Sequence, residues 1–188
     1  MIVGVDEVGC GSIAGPVIAA AVVMNNKYIP GLTDSKLLSS KKRENLVKII
    51  LKNCTTWAIG YASVKEIEVI NILQASLLAM KRAINTISIL TTPQYVLVDG
   101  KYIPDVNYST YAIIKGDVLI PEISAASIIA KVMRDKIMIA YHNIYPEYKF
   151  DVHKGYGTYQ HCVLIKKYGI SPIHRCSFKP VKNILLNN

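Results

Sequence analysis

The chain has 188 residues, 51% hydrophobic and 19% charged, enough apolar material for one domain with its own core and too much for a disordered or fibrous chain. Lys and Arg number 22 against 13 Asp and Glu, a formal net charge of +9, which suits a polyanionic partner such as nucleic acid and equally a merely basic surface. No apolar run reaches membrane-spanning length, and Ile2-Val3-Gly4-Val5 lacks the basic lead of a secretory signal, so a soluble cytoplasmic protein without membrane association is expected.

Ile2 to Val5 reads as a buried strand, and Val17 to Met24 as a second. Between them lies Gly9-Cys10-Gly11-Ser12-Ile13-Ala14-Gly15, one residue longer than the dinucleotide-binding fingerprint. Pro16 and the β-branched run after it predict a strand where that motif needs a helix, so no nucleotide cofactor is expected. A glycine-rich turn still lets backbone N–H groups come close to a phosphate or sugar. Ser39 or Ser40 caps a helix to about Lys52, with Leu46, Val47, Ile50 and Leu51 on one face. Thr55 to Ala62 is a third strand. Ser63-x-x-Glu66 is a capping box opening a helix whose stripe is Ile67, Ile70, Leu73, Leu77, Met80 and Ile84.

Pro93 ends the connection, and Tyr95 to Val98 is a short buried strand stopping at Asp99-Gly100. Tyr111 to Ile114 is another, ending at Lys115-Gly116-Asp117. Ser124 to about Tyr145 reads as a helix, with Pro121 before it and Pro146 after it; the remainder alternates short helical and loop signals. The order β-β-α-β-α-β-β-α implies an α/β fold with a mixed sheet. No linker or repeat interrupts it, so residues 1–188 are expected to form a single domain. Cys10, Cys54, Cys162 and Cys176 form no C-x-x-C pair, and the group His161, Cys162, His174, Cys176 fits no zinc-ligand spacing, so reduced thiols are expected.

The acids are placed informatively. Asp6-Glu7, Asp99 and Asp117 each follow an apolar stretch. If those strand ends are neighbours, the carboxylates converge, and like charges raise one another's pKa unless cations intervene. Oxygen-only ligands suit Mg²⁺ or Mn²⁺. Such a site permits two-metal phosphodiester hydrolysis, one ion generating hydroxide from water and the other stabilising the leaving 3′ oxygen. Taken one at a time, the same acids are ordinary turn residues.

Seven ordered segments then resemble the ribonuclease HII (type 2 ribonuclease H) family. They are Gly4 through Val17, Asp34-Ser35-Lys36, Leu97-Val98-Asp99-Gly100, Lys115-Gly116-Asp117, Ser124 through Asp135, His153-Lys154-Gly155-Tyr156-Gly157-Thr158, and His174-Arg175-x-Ser177-Phe178. The resemblance, to a short bacterial form, implies a ribonuclease H-like fold: a five-stranded mixed sheet flanked by helices, with a small helical C-terminal portion. It implies hydrolysis of the RNA strand of RNA–DNA hybrids and cutting on the 5′ side of ribonucleotides in duplex DNA, leaving 3′-hydroxyl and 5′-phosphate ends. It places the catalytic, metal-binding acids at Asp6, Glu7, Asp99 and Asp117.

The family's Gly-Arg-Gly turn, which grips the ribose 2′-hydroxyl, falls on Gly9, Cys10 and Gly11, and the tyrosine stacking near that sugar falls on Tyr156. Lys36, Ser127, Lys131 and Lys154 become candidates for phosphate contacts, or a solvated basic face. Cys10 departs from the family arginine, removing a guanidinium that could have met a phosphate. Asp135 competes as a site acid, but its neighbour Arg134 suggests a structural ion pair. The protein is expected to be a monomer. Two other readings stand beside the nuclease: a nucleic-acid-binding protein of the same fold with weak or lost activity, and a strand-transfer or junction-cutting nuclease of the same superfold.

Overall fold

The computed structural model describes residues 1–25, 29–32, 35 and 38–186. Five strands, β1 (Ile2–Val8), β2 (Val17–Met24), β3 (Cys54–Ala62), β4 (Tyr95–Asp99) and β5 (Thr110–Ile113), form one sheet in the order β3-β2-β1-β4-β5. β1 pairs antiparallel with β2 and parallel with β4, so it is the strand at which the sheet changes sense. β2–β3 is antiparallel and β4–β5 parallel, which makes the sheet mixed as expected.

Seven helices flank or extend the sheet among the described residues: α1 (Ser40–Asn53), α2 (Val64–Leu90), α3 (Gly116–Leu119), α4 (Pro121–Ile144), α5 (Phe150–His153), α6 (Tyr159–Tyr168) and α7 (Lys179–Leu186). On one face, Val3, Val5, Val96 and Val98 pack with Ala75, Ala79, Ala83 and Ile84 of α2. On the other, Ile18, Ala20 and Val22 pack with Leu46 and Ile50 of α1 and with Ala125, Ile128 and Ile129 of α4. Every residue of β2 is buried, so its unbroken apolar run reflects a strand covered on both faces. Gly4 lets α4 lie directly on β1: a Cβ there would meet the Glu122 carbonyl carbon at 2.2 Å.

Several details differ from the sequence reading. β1 continues to Val8, because its ladder with β2 runs on through Val8↔Ile18, so Asp6 and Glu7 lie within the strand. α4 begins at Pro121, which occupies the first helical turn, where its missing N–H costs nothing. The Ser63–Glu66 capping box is present, but α2 breaks at Asn71 (φ 66°), whose side chain accepts from the Gln74 N–H to restart the helix. The break shifts the helical phase. Ile67, Met80 and Ile84 are buried, whereas Leu73 is 38% exposed.

The small helices after α4 close around the glycine-rich segment. Ala14 packs with Met138, Tyr148, Phe150 and Ile173, and Ile13 packs with Ile165, Val181 and Ile184. Among the described residues no helix is long and apolar enough to cross a membrane.

Candidate active site

Parallel pairing of β1 with β4 ends at Val5↔Val98, so the next residues, Asp6 and Asp99, sit side by side. Both point away from the valine-lined face, toward α4. The chain after β5 turns at Lys115 in the left-handed region (φ 59°) and enters α3, where the Asp117 N–H donates to Asp99 Oδ1 at 3.3 Å. Carboxylate oxygens of Asp6, Asp99 and Asp117 thus lie within 4.8 Å of one another. Asp6 and Asp117 are buried and Asp99 is half-buried. Glu7, next on β1, is half-buried and acts on Asp6 through its charge.

Burial pushes the Asp6 carboxyl well above the usual range, and the charges of Glu7 and Asp99 push it further, against hydrogen bonds from the Ser127 side chain and the Glu7 N–H (2.7 Å). Three clustered oxygen donors, one of them driven toward its neutral form by desolvation and like charge, fit a hard divalent cation. The four residues His161, Cys162, His174 and Cys176 do not converge as a ligand set; the three aspartates are the one such cluster among the described residues.

The glycine turn adjoins these acids. Gly9 has φ +102°, and a Cβ there would meet Arg134 Nε at 2.3 Å, so only glycine fits. Gly11 is exposed with nothing within 4 Å of its Cβ position, leaving its backbone open to a ligand. The Cys10 thiol points inward and donates to Glu7 Oε1 (3.5 Å); burial, then the Glu7 charge, pushes it up to about 12. Tyr156 is half-buried and pairs with Ser12 across an isolated antiparallel bridge, which sets its ring beside the turn. Lys131 Nζ and Arg134 Cζ lie 5.5 and 5.6 Å from that ring's centroid.

Two arginines with 0% exposure hold this loop, and sequence reasoning assigned neither that role. Arg134 donates to the carbonyls of Pro16 (3.1 Å), Lys154 (2.9 Å) and Ala14 (3.0 Å). Arg175 donates twice to Gly15 O (2.9 and 2.7 Å) and once to Cys10 O (3.2 Å). Burial, then the nearby Arg134 charge, lowers Arg175 to about 9, which leaves it protonated at neutral pH. The expected Arg134–Asp135 ion pair is not the arrangement found. Asp135 instead pairs with Lys131 one helical turn back (2.8 Å) and with Arg43 of α1 (3.6 Å), because Arg134 turns inward to the carbonyls.

The phosphate candidates separate. The Ser127 hydroxyl hydrogen-bonds to the Asp6 carboxylate and lies 3.0 Å from Ser35 Oγ, whose own hydroxyl is then the donor between the two serines. Lys131 lies between Asp135 and the Tyr156 ring. Lys154 adopts φ 51° and directs its ammonium to the Asp151 carbonyl. Lys36 lies outside the described residues.

The model of the ribonuclease HII family matches residues 3–181. The chain belongs to the ribonuclease HII family. Among family members, the ribonuclease HII of Coxiella burnetii (strain Dugway 5J108-111) is 54% identical over 187 residues, covering 99% of this chain and 92% of that protein. The crystal structure of ribonuclease H2 from Pyrococcus horikoshii OT3 superposes with a TM-score of 0.79 at 26% identity, over 99% of this chain and 97% of that one. Bst-RNase HIII, solved in complex with Mn²⁺, shares the fold at a TM-score of 0.78 and 16% identity, over 99% of this chain and 69% of that one. The fold is therefore ribonuclease H-like, and membership of this family makes the chain a ribonuclease H enzyme.

Proposed function

We propose that this ribonuclease hydrolyses the RNA strand of RNA–DNA hybrids and cuts duplex DNA on the 5′ side of an embedded ribonucleotide, leaving 3′-hydroxyl and 5′-phosphate ends. The observation that carries this reading is the convergence of Asp6, Asp99 and Asp117 beside an open glycine turn and Tyr156. Asp6, Glu7, Asp99 and Asp117 would hold two divalent cations, Mg²⁺ or Mn²⁺. When bound there, the cations supply Lewis acidity toward a water, the scissile phosphate and the leaving 3′ oxygen.

The protein's own groups do the rest. Ser127 orients the Asp6 carboxylate, and the Asp117 N–H fixes that of Asp99. The backbone of Gly9, Cys10 and Gly11 reads the 2′-hydroxyl, the one group that distinguishes a ribonucleotide from its DNA neighbours. Tyr156 offers a flat face to the sugar, and Lys131 above it, with Lys36 and Lys154, supplies sequence-independent attraction to phosphates. The net charge of +9 is consistent with that substrate. Residues 1–188 act as one monomeric, cytoplasmic domain. Mapping both product ends on a duplex containing one ribonucleotide tests the reading: a 3′-hydroxyl left by the nucleotide before the ribose supports it. A cut 3′ of the ribose, leaving a 2′,3′-cyclic phosphate, contradicts it.

A further inference from the structure

Three histidines outside the acidic centre, His153, His161 and His174, meet under the loop that carries Tyr156, and all are buried. Their partners settle every ring nitrogen. His161 Nδ1 lies 2.9 Å from the Tyr156 carbonyl, an acceptor, so that nitrogen carries the proton. His161 Nε2 is then an acceptor, 3.0 Å from His174 Nε2, which must donate. His174 Nδ1 accordingly accepts from the Ser171 N–H at 2.8 Å. His153 stacks on His161 with ring centroids 4.1 Å apart, donates from Nε2 to Tyr148 O (2.8 Å) and accepts at Nδ1 from the Gly155 N–H (3.2 Å).

We propose that His161 and His174 are positioning residues for the ribonuclease reaction, an imidazole relay from Ser171 that holds the Tyr156 backbone and so aims its ring at the sugar. The inference rests on the reading of Tyr156 as a sugar contact. A structural pair alone could be apolar, as Phe150, whose ring packs against both His161 and His174, is. Two buried imidazoles aligned in one direction end on the carbonyl of the one loop residue that bridges to Ser12, and with the Thr158 N–H, which donates to the same carbonyl (2.8 Å), they fix where it points. Burial pushes His161 down to about 3 and His174 to about 4. Both rings therefore stay neutral at working pH, as the relay requires. The charges facing them are few: Asp151 and Lys154 act on His153, and the three rings act on one another.

The test is a double-mutant cycle on cleavage of a duplex with one ribonucleotide, combining His161→Phe with Tyr156→Ala, with melting curves for each variant. His161→Phe is expected to lower kcat/KM about 10-fold or more, mainly through kcat, because misplacement of about 1 Å costs orientation. In the Tyr156→Ala background the same change is expected to act by less than about twofold. His161→Asn, whose amide can donate from the Nδ1 position, should recover most of the loss.

An equal loss in both backgrounds, or no loss in either, overturns the relay while leaving the Tyr156 reading intact. A Tyr156→Ala enzyme as active as wild type overturns both. Should His161→Phe fail to fold, His174→Asn keeps the Ser171 acceptor and removes only the donation to His161, and enters the same cycle. Long-range ¹⁵N–¹H NMR of the wild-type protein reads the tautomers directly. Nδ1–H on His161 with Nε2–H on His174 is expected, and the opposite pair refutes the proposal.

Discussion

The backbone N–H of Asp117 donates to the carboxylate of Asp99, and that one bond couples the end of β4 to the first turn of α3. It brings two acids 18 residues apart into the cluster with Asp6. Asp99→Asn is expected to lower cleavage about 1,000-fold or more, because the lost charge is required to hold a cation. An amide oxygen still accepts from Asp117, so circular dichroism and melting should stay near wild type.

Asp6→Asn should behave differently on stability. Burial and the charges of Glu7 and Asp99 disfavour the ionised Asp6 carboxylate. Removing that charge is expected to raise Tm in EDTA while abolishing cleavage, and Mg²⁺ or Mn²⁺ should raise the wild-type Tm more than that of the variant. Paired thermal melts with and without metal check both statements.

Arg175 donates to Gly15 and Cys10 from full burial. Arg175→Met keeps most of the volume but strips those carbonyls of their donors, and is expected to cost about 3 kcal/mol or more in urea unfolding. Lys131→Met leaves Asp135 paired with Arg43 (3.6 Å) and should cost less than Arg175→Met, its main effect appearing as weaker, less salt-dependent binding.

Stability should fall with acid. His161 and His174 have folded-state values near 3 and 4 against 6.5 in the unfolded chain, and His153 is also lowered, all chiefly by burial. Below pH 6.5 the unfolded chain therefore binds more protons, and the histidine contribution is lost progressively as pH falls toward 4. Glu66, lowered to about 2 first by its bond with Arg82, adds a smaller loss below about 4.5 because the pair is partly exposed. Asp6, raised, acts in the opposite sense. Urea midpoints from pH 7.5 to 4.5 are expected to decline, with the first loss near 6.5; a flat profile contradicts the buried neutral histidines.

Much of the fold was legible because it follows from burial on two faces. β2 is all apolar where helices cover it on both sides; β4 ends at Asp99, and β1 carries Asp6 and Glu7 just before its last residue, Val8. The break at Asn71 was not legible, since the apolar spacing on either side continues a helical stripe and only a positive φ interrupts it. Of the partners of Asp135, Lys131 was open to helical i,i+4 spacing, whereas Arg43 lies in α1, far away in sequence, and the adjacent Arg134 turns inward to backbone carbonyls. The arginine braces and the imidazole relay bind backbone atoms, which leave no trace in a pattern of side-chain types.

The most direct measurement is cleavage of a DNA duplex carrying one ribonucleotide, beside the same duplex in all-deoxy form, in Mg²⁺, Mn²⁺ or EDTA. A metal-dependent cut on the 5′ side of the ribonucleotide, with the all-deoxy duplex untouched, is the expected result. Cutting that persists in EDTA would contradict the carboxylate metal site, and equal cutting of the all-deoxy duplex would contradict the glycine turn and Tyr156 as readers of the 2′-hydroxyl.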